Sequence, residues 1–127
     1  GLRAVSVEDW RQHTRYHGEF ARLGENHRVI KWFWECVGSL CQEDRARFLQ
    51  FCTGSARINA HGFRALHSND GSFRNFNIQS IRKGDSPFPK AHTCFNKLDL
   101  PVYDTKEDLV RCIMIIINME VTGFTID

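Results

Sequence analysis

The spacing of the apolar residues changes halfway along the chain, and this change limits the folds that the sequence can adopt. In the first half, apolar residues recur at intervals of three and four, the period of a helix that buries one face. The members of this stripe are Val29, Phe33, Cys36, Val37 and Leu40. In the second half, residues 75–81 alternate polar and apolar side chains, as a half-buried strand does. The sequence therefore predicts an α+β fold, with N-terminal helices packed against a small β-sheet and a closing C-terminal helix.

Capping residues indicate where two further helices begin. Ser6 with Asp9, and Thr105 with Asp108, each form the polar pair that opens a helix. We predict a first helix over Val7–Thr14 and a last helix that begins after Thr105. Because the last segment is rich in β-branched residues, a buried strand there would show a similar pattern.

The remaining secondary-structure elements are predicted from shorter sequence patterns. A third helix is predicted over Glu43–Cys52, with Gly54 as the glycine that ends it. Residues 16–18 are expected to break the first helix, and residues 69–72 to form a turn. Phe95–Leu100 is a second, weaker strand candidate.

Size and charge exclude several classes of protein. With 127 residues, the chain is long enough for a single compact domain with a substantial core. Its net charge of +2 comes from both signs spread along the chain, so no nucleic-acid partner is indicated. The longest apolar run, Cys112–Ile117, is far shorter than the roughly 18 residues that a membrane span needs, so we predict no such span.

The cysteines indicate a reducing environment. There are five of them, an odd number, and no two form a CxxC pair. We therefore expect an intracellular protein, cytoplasmic or nuclear, with free thiols. Cys36, Cys52 and Cys112 fall on helical apolar faces, where we expect them to be buried and inert. No second pair matches Cys36 and Cys41, so we expect no metal.

Cys94 differs from these cysteines because it lies between turn-forming prolines rather than on an apolar face. Loops carry reactive groups more often than cores do. The segment 91–96, Ala-His-Thr-Cys-Phe-Asn, with Lys-Leu-Asp-Leu-Pro after it, resembles the active-site segment of HECT-type ubiquitin ligases. Further segments match the same family in order and spacing. They are Glu8-Asp9-Trp10, Thr14, Trp32-Phe33-Trp34, Phe48-Leu49-Gln50-Phe51, Thr53-Gly54-Ser55, Gly62-Phe63, Tyr103 and Gly123-Phe124. Asn59 and Cys52 depart from the family pattern, which usually has proline and valine there.

The resemblance covers essentially the whole chain and implies the C-terminal lobe of a HECT domain. Cys94 would take ubiquitin from a conjugating enzyme as a thioester and pass it to a lysine of a protein substrate, without a cofactor. The family's larger preceding lobe would bind the conjugating enzyme. Residues 1–5 would then be the remnant of the interlobe hinge and residues 120–127 a flexible functional tail. Without the larger lobe, we expect the isolated lobe to be inactive.

Several residues around Cys94 are candidates for supporting roles. His92 and Thr93 belong to the same catalytic segment. His92 would lie on the same side as Cys94 if the segment is extended; it could act as a base or could shape the loop through a hydrogen bond. By resemblance, Phe124 would anchor the tail near the active site, and a carboxylate of Asp127 could take the proton of the attacking lysine.

Donor ubiquitin must also be held. We predict that its extended tail adds as a strand beside Phe95, Asn96, Lys97 and Leu98. Two other functions stay open: a ubiquitin-binding module without catalysis, and a cysteine hydrolase in which a distant histidine pairs with Cys94. Residues 32–34 could form an exposed aromatic surface, although their helical spacing is more typical of a core.

Overall fold

The computed structural model describes residues 5–54 and 75–123, which form four helices and a four-stranded sheet. The helices are α1 (Val7–Gln12), α2 (Arg28–Ser39), α3 (Gln42–Thr53) and α4 (Lys106–Thr122). The strands are β1 (Thr14–His17), β2 (Phe76–Ile81), β3 (Lys90–His92) and β4 (Lys97–Pro101). The α+β prediction is confirmed. The predicted turn at 69–72 and most of the predicted hinge remnant lie outside the described residues.

The predicted caps are present at the helix ends. Ser6 Oγ accepts a hydrogen bond from the Asp9 amide at 3.1 Å, and Thr105 Oγ1 accepts one from the Asp108 amide at 3.2 Å. Gly54 ends α3 in the left-handed conformation, with a φ of 80° that favours glycine. The β-branched C-terminal segment is a helix, and because α4 continues to Thr122, the predicted tail is helical over its first three residues.

The sheet has the strand order β1-β2-β4-β3. The pairs β1/β2 and β2/β4 are parallel, whereas β3 and β4 are antiparallel. The predicted strand at 75–81 is confirmed as β2, and the weaker candidate at 95–100 begins two residues later, as β4. Neither β1 nor β3 was predicted from the sequence.

The core lies between the helices and one face of the sheet. The apolar stripe of α2 is buried as predicted, and Trp10 of α1 packs edge-on against Trp34 at 5.6 Å between ring centres. Of residues 32–34, Phe33 and Trp34 belong to the core, while Trp32 is half-buried beneath the guanidinium of Arg28. The core interpretation of this aromatic segment is therefore correct for two of its three residues.

One arginine connects Val5, the first described residue, to the helices. The Arg45 guanidinium donates to the carbonyl oxygens of Val37, Gly38 and Leu40, at the C-terminal end of α2, over 2.9–3.2 Å. It also donates to the carbonyl of Val5 at 3.0 Å. Val5 is buried, so the path of the chain is fixed from this residue onward.

Candidate active site around Cys94

Cys94 lies at the tip of the connection between two antiparallel strands. His92 and Lys97 are the last register pair of β3 and β4, and Thr93–Phe95 form a single 3₁₀ turn between them. The connection closes at Asn96, whose φ of 50° is left-handed, a conformation that asparagine adopts more readily than most residues. Cys94 itself is exposed. The fold thus presents this thiol at one end of the sheet.

The base of this connection is rigid because it is part of the core. Asn96 is completely buried, and its carbonyl accepts a hydrogen bond from the Asn77 amide on β2 at 2.8 Å. Leu98, two residues further along β4, is also completely buried. An exposed nucleophile is thereby held on a backbone that the core positions.

The segment before β3 is held by hydrogen bonds from Tyr103 and from Cys112 of α4. The carbonyl of Pro87 accepts hydrogen bonds from the Tyr103 hydroxyl at 2.7 Å and from the Cys112 thiol at 3.3 Å. Burial raises the pKa of Tyr103, so its hydroxyl stays protonated and continues to donate at neutral pH. This shared acceptor fixes the start of β3 relative to the core.

Thr93 lies beside the end of α3. A methyl group on Gly54 would be 3.6 Å from the Thr93 Cβ atom, which is an ordinary van der Waals distance. The Cys94 connection is therefore supported by the helical layer as well as by the sheet.

His92 is held by Asp99, a residue that no local sequence pattern indicates as part of the site. Its Nε2 atom lies 2.7 Å from Oδ2 of Asp99 on β4. The condition under which His92 would lie on the same side as Cys94, an extended segment, is not met, because the chain enters the 3₁₀ turn at Thr93. The bond to Asp99 is compatible with both roles, because it engages Nε2 and leaves Nδ1, so loop shaping and a role as a base both stay predictions.

The predicted site for the ubiquitin tail needs correction. A new strand cannot add beside Lys97 and Leu98, because β4 is already paired with β2 on one side and with β3 on the other, and Phe95 and Asn96 lie in the turn before β4. Asn96 and Leu98 are buried and offer no surface, whereas Phe95 is 54% exposed and Lys97 is half-buried. Within the described residues, the sheet edges left without a partner strand are those of β1 and β3.

The other cysteines lie where the sequence predicted. Cys36, Cys52 and Cys112 are buried, whereas Cys41 is exposed like Cys94. Burial raises the pKa of Cys36 to about 11 and that of Cys52 well above its ordinary value. These two thiols are therefore protonated at neutral pH.

The candidates Phe124 and Asp127 lie outside the described residues, so their roles stay predictions. In residues 5–54 and 75–123, no three His, Cys, Asp or Glu side chains are grouped as a metal site would need. No helix in the same ranges has the length and apolar character of a membrane span.

Comparison with known proteins identifies the family. Residues 1–127 match the family described as HECT-domain (ubiquitin-transferase). E3 ubiquitin-protein ligase pub1 of Schizosaccharomyces pombe is 42% identical over 98% of this chain, and RSP5 of Saccharomyces cerevisiae is 40% identical over 98%. Human NEDD4 is 42% identical over 86% of the chain. The matched regions make up 15%, 14% and 8% of these three relatives. The chain belongs to the HECT-domain family.

Proposed function

We propose that this chain is the C-terminal, thioester-forming lobe of a ubiquitin-protein ligase, with Cys94 as the residue that carries ubiquitin. The observation that carries the proposal is the position of Cys94: an exposed thiol at the tip of a connection whose base is buried. Membership of the HECT-domain family and relatives that are E3 ubiquitin-protein ligases support it.

The first step exchanges one thioester for another. The Cys94 thiolate attacks the carbonyl carbon of the ubiquitin C-terminal glycine on the conjugating enzyme, and a new C–S bond forms. The old C–S bond breaks, and its electron pair leaves on the thiolate of the conjugating enzyme. Because one thioester replaces another, the step is nearly balanced in energy and needs no cofactor.

The second step transfers the acyl group to a lysine. The neutral amine of the substrate attacks the thioester carbonyl, a C–N bond forms, and the Cys94 thiolate leaves. A lysine is almost wholly protonated at neutral pH, so a base must take its proton. Asp127 is the candidate for this base, with Phe124 as the anchor that would bring the tail to Cys94.

The outer edge of β3 is the better place for the ubiquitin tail. It is unpaired among the described strands, and the strand leads directly to Cys94. A peptide whose C-terminus must reach Cys94 has to run parallel to β3, from Lys90 toward His92. With three residues in β3, few main-chain bonds can form, which suits a donor that must leave after transfer.

One assay separates this proposal from its two rivals. The complete protein is incubated with charged conjugating enzyme and ubiquitin, and the products are separated on gels with and without reductant. We expect a reductant-sensitive ubiquitin adduct that is lost in Cys94→Ala and becomes reductant-resistant in Cys94→Ser, because serine forms an oxygen ester. Cys41→Ala, which removes the other exposed thiol, is the matched control and should load normally.

The contrary outcomes point to the rivals. A complete protein that still modifies its targets after Cys94→Ala would exclude the carrier function, and retained ubiquitin affinity would then indicate a binding module. Release of free ubiquitin from esters or peptides, without an acceptor amine, would indicate a hydrolase.

A further inference from the structure

Polar side chains from each of the four strands share one face of the sheet. Since Phe76, Ile78, Leu98 and Leu100 are buried on one face, alternation places Asn77, Gln79, Lys97 and Asp99 on the opposite face. The strand register puts Arg15, His17, Asn77, Gln79, Lys90, His92, Lys97 and Asp99 on this polar face. Among these strand residues, Asp99 is the one carboxylate.

Asp99 contacts His92 although the register places a lysine directly beside it. Lys90 is the direct partner of Asp99 across the β3/β4 ladder, and Lys97 is the direct partner of His92. The 2.7 Å contact between Asp99 Oδ2 and His92 Nε2 runs diagonally between these two pairs. It joins the two strands immediately below the connection that carries Cys94.

Exposure shows which partner orients the other. The Asp99 side chain is 15% exposed and stands on the central strand β4, whereas the His92 side chain on the edge strand β3 is 43% exposed. The carboxylate is therefore the fixed partner and the ring is the one that is oriented. Asp99 Oδ1 is buried and has no hydrogen-bond partner among the described residues. A buried oxygen without a partner costs free energy, so stability alone does not explain a carboxylate here.

The hydrogen bond also selects the tautomer of His92. A carboxylate accepts hydrogen bonds and cannot donate them, so Nε2 of the ring must carry the proton. When the ring is neutral, Nδ1 then has a lone pair that can accept a proton. His92 and Cys94 are two residues apart, so their Cα atoms are separated by at most about 7 Å.

We propose that Asp99 is a positioning residue for the transfer of ubiquitin: it fixes the ring orientation and the Nε2–H tautomer of His92, and Nδ1 accepts the Cys94 thiol proton. This rests on the carrier function proposed above. The Cys94 S–H bond breaks, the sulfur keeps the electron pair for attack on the thioester, and the proton moves to Nδ1. After the exchange, the imidazolium returns this proton to the departing thiolate of the conjugating enzyme.

Two variants distinguish this role from a contribution to packing. Asp99→Asn keeps the shape of the side chain, but its amide can also donate to Nε2 and so allows the other tautomer. Asp99→Glu changes the shape and keeps an obligate acceptor. We expect Asp99→Asn to slow adduct formation by the complete protein about tenfold, a part of the roughly 10²–10⁴-fold effect of positioned bases, and Asp99→Glu to slow it less. A packing role predicts the opposite order.

Coupling to His92 completes the test. In a His92→Ala background, Asp99→Asn should cause no further slowing, because the ring that it orients is gone. Asp104→Asn, at an exposed carboxylate that pairs with Lys83, is the matched control and should load at the wild-type rate. A wild-type rate for Asp99→Asn, or the same slowing with and without His92, would overturn the positioning role. If either result is obtained and the ubiquitin adduct still requires Cys94, the positioning role is excluded and the proposed carrier function is retained.

Discussion

At the scale of single residues, the environment of each sulfur atom determines whether it can react. Cys94 and Cys41 are exposed, whereas Cys36, Cys52 and Cys112 pack within the core or hydrogen-bond there. A buried thiol is both shielded from reagents and harder to ionise, and the raised pKa values of Cys36 and Cys52 reflect this burial.

Alkylation should therefore distinguish two classes of thiol. We expect iodoacetamide at pH 7.5 to modify Cys94 and Cys41 in the folded protein and all five cysteines in denaturant, with the modified positions read by mass spectrometry. Cys94→Ala should remove one of the two fast sites and leave the other unchanged. Modification of Cys36 or Cys52 at the rate of Cys41 in the folded protein would show that the core is open.

At the site, Cys94 could be predicted from the sequence, whereas Asp99 could not. Cys94 was identified because it lies outside any periodic apolar pattern and because its neighbours resemble a known active-site segment. Asp99 was missed because its contact with His92 depends on the β3/β4 register, which no local pattern encodes. If the segments before and after Cys94 had been considered as two short strands that pair with each other, this pairing would have indicated Asp99.

At the scale of secondary-structure elements, the helices were predictable and half of the strands were not. Caps and apolar stripes are local, and they predicted the helices, with α1 ending two residues earlier than expected. The strands β1 and β3 have four and three residues, too few for alternation to stand out. β1 becomes a strand because of a partner far along the chain, Phe76 for Thr14, whereas β3 becomes one by pairing with the nearby β4.

The hydrogen bonds of Arg45 to the end of α2 predict a measurable effect on stability. Arg45 supplies donors to three carbonyls at the end of α2 and to the Val5 carbonyl, and of these the Val37 carbonyl also accepts from the Leu40 amide. Arg45→Met keeps much of the apolar stem and removes every donor. We expect a loss of about 2–3 kcal/mol in the free energy of unfolding, because several bonds from a charged donor are lost together.

The control for Arg45 lies two residues away on the same helix. Arg47 pairs with Glu43 and Asp44 on the surface, where ion pairs contribute little, so Arg47→Met should cost less than about 1 kcal/mol. Urea denaturation followed by circular dichroism measures both. Equal losses for the two variants would mean that the carbonyl contacts of Arg45 contribute no more than a surface ion pair.

At the scale of the whole molecule, the same core that positions Cys94 also encloses several weak acids in their neutral forms. Burial raises the pKa of Cys36 to about 11, and it raises the pKa values of Cys52, Tyr16 and Tyr103 as well. In the unfolded chain these groups titrate near their ordinary values of about 8.5–10. Folding therefore requires them to keep protons that the unfolded chain releases in alkaline solution.

This difference sets the sign of the pH dependence. Above about pH 9 the unfolded state binds fewer protons than the folded state, so the free energy of unfolding must fall as the pH rises. The loss should be absent below about pH 8 and should steepen between pH 9 and 11, where each such group contributes up to about 1.4 kcal/mol per pH unit. Cys36→Ser should have a shallower slope in this window, and Cys41→Ser, at an exposed thiol, should keep the wild-type slope. Urea denaturation at half-unit pH intervals gives these slopes directly, and a free energy of unfolding that stays level up to pH 10.5 would mean that the core does not hold these groups protonated.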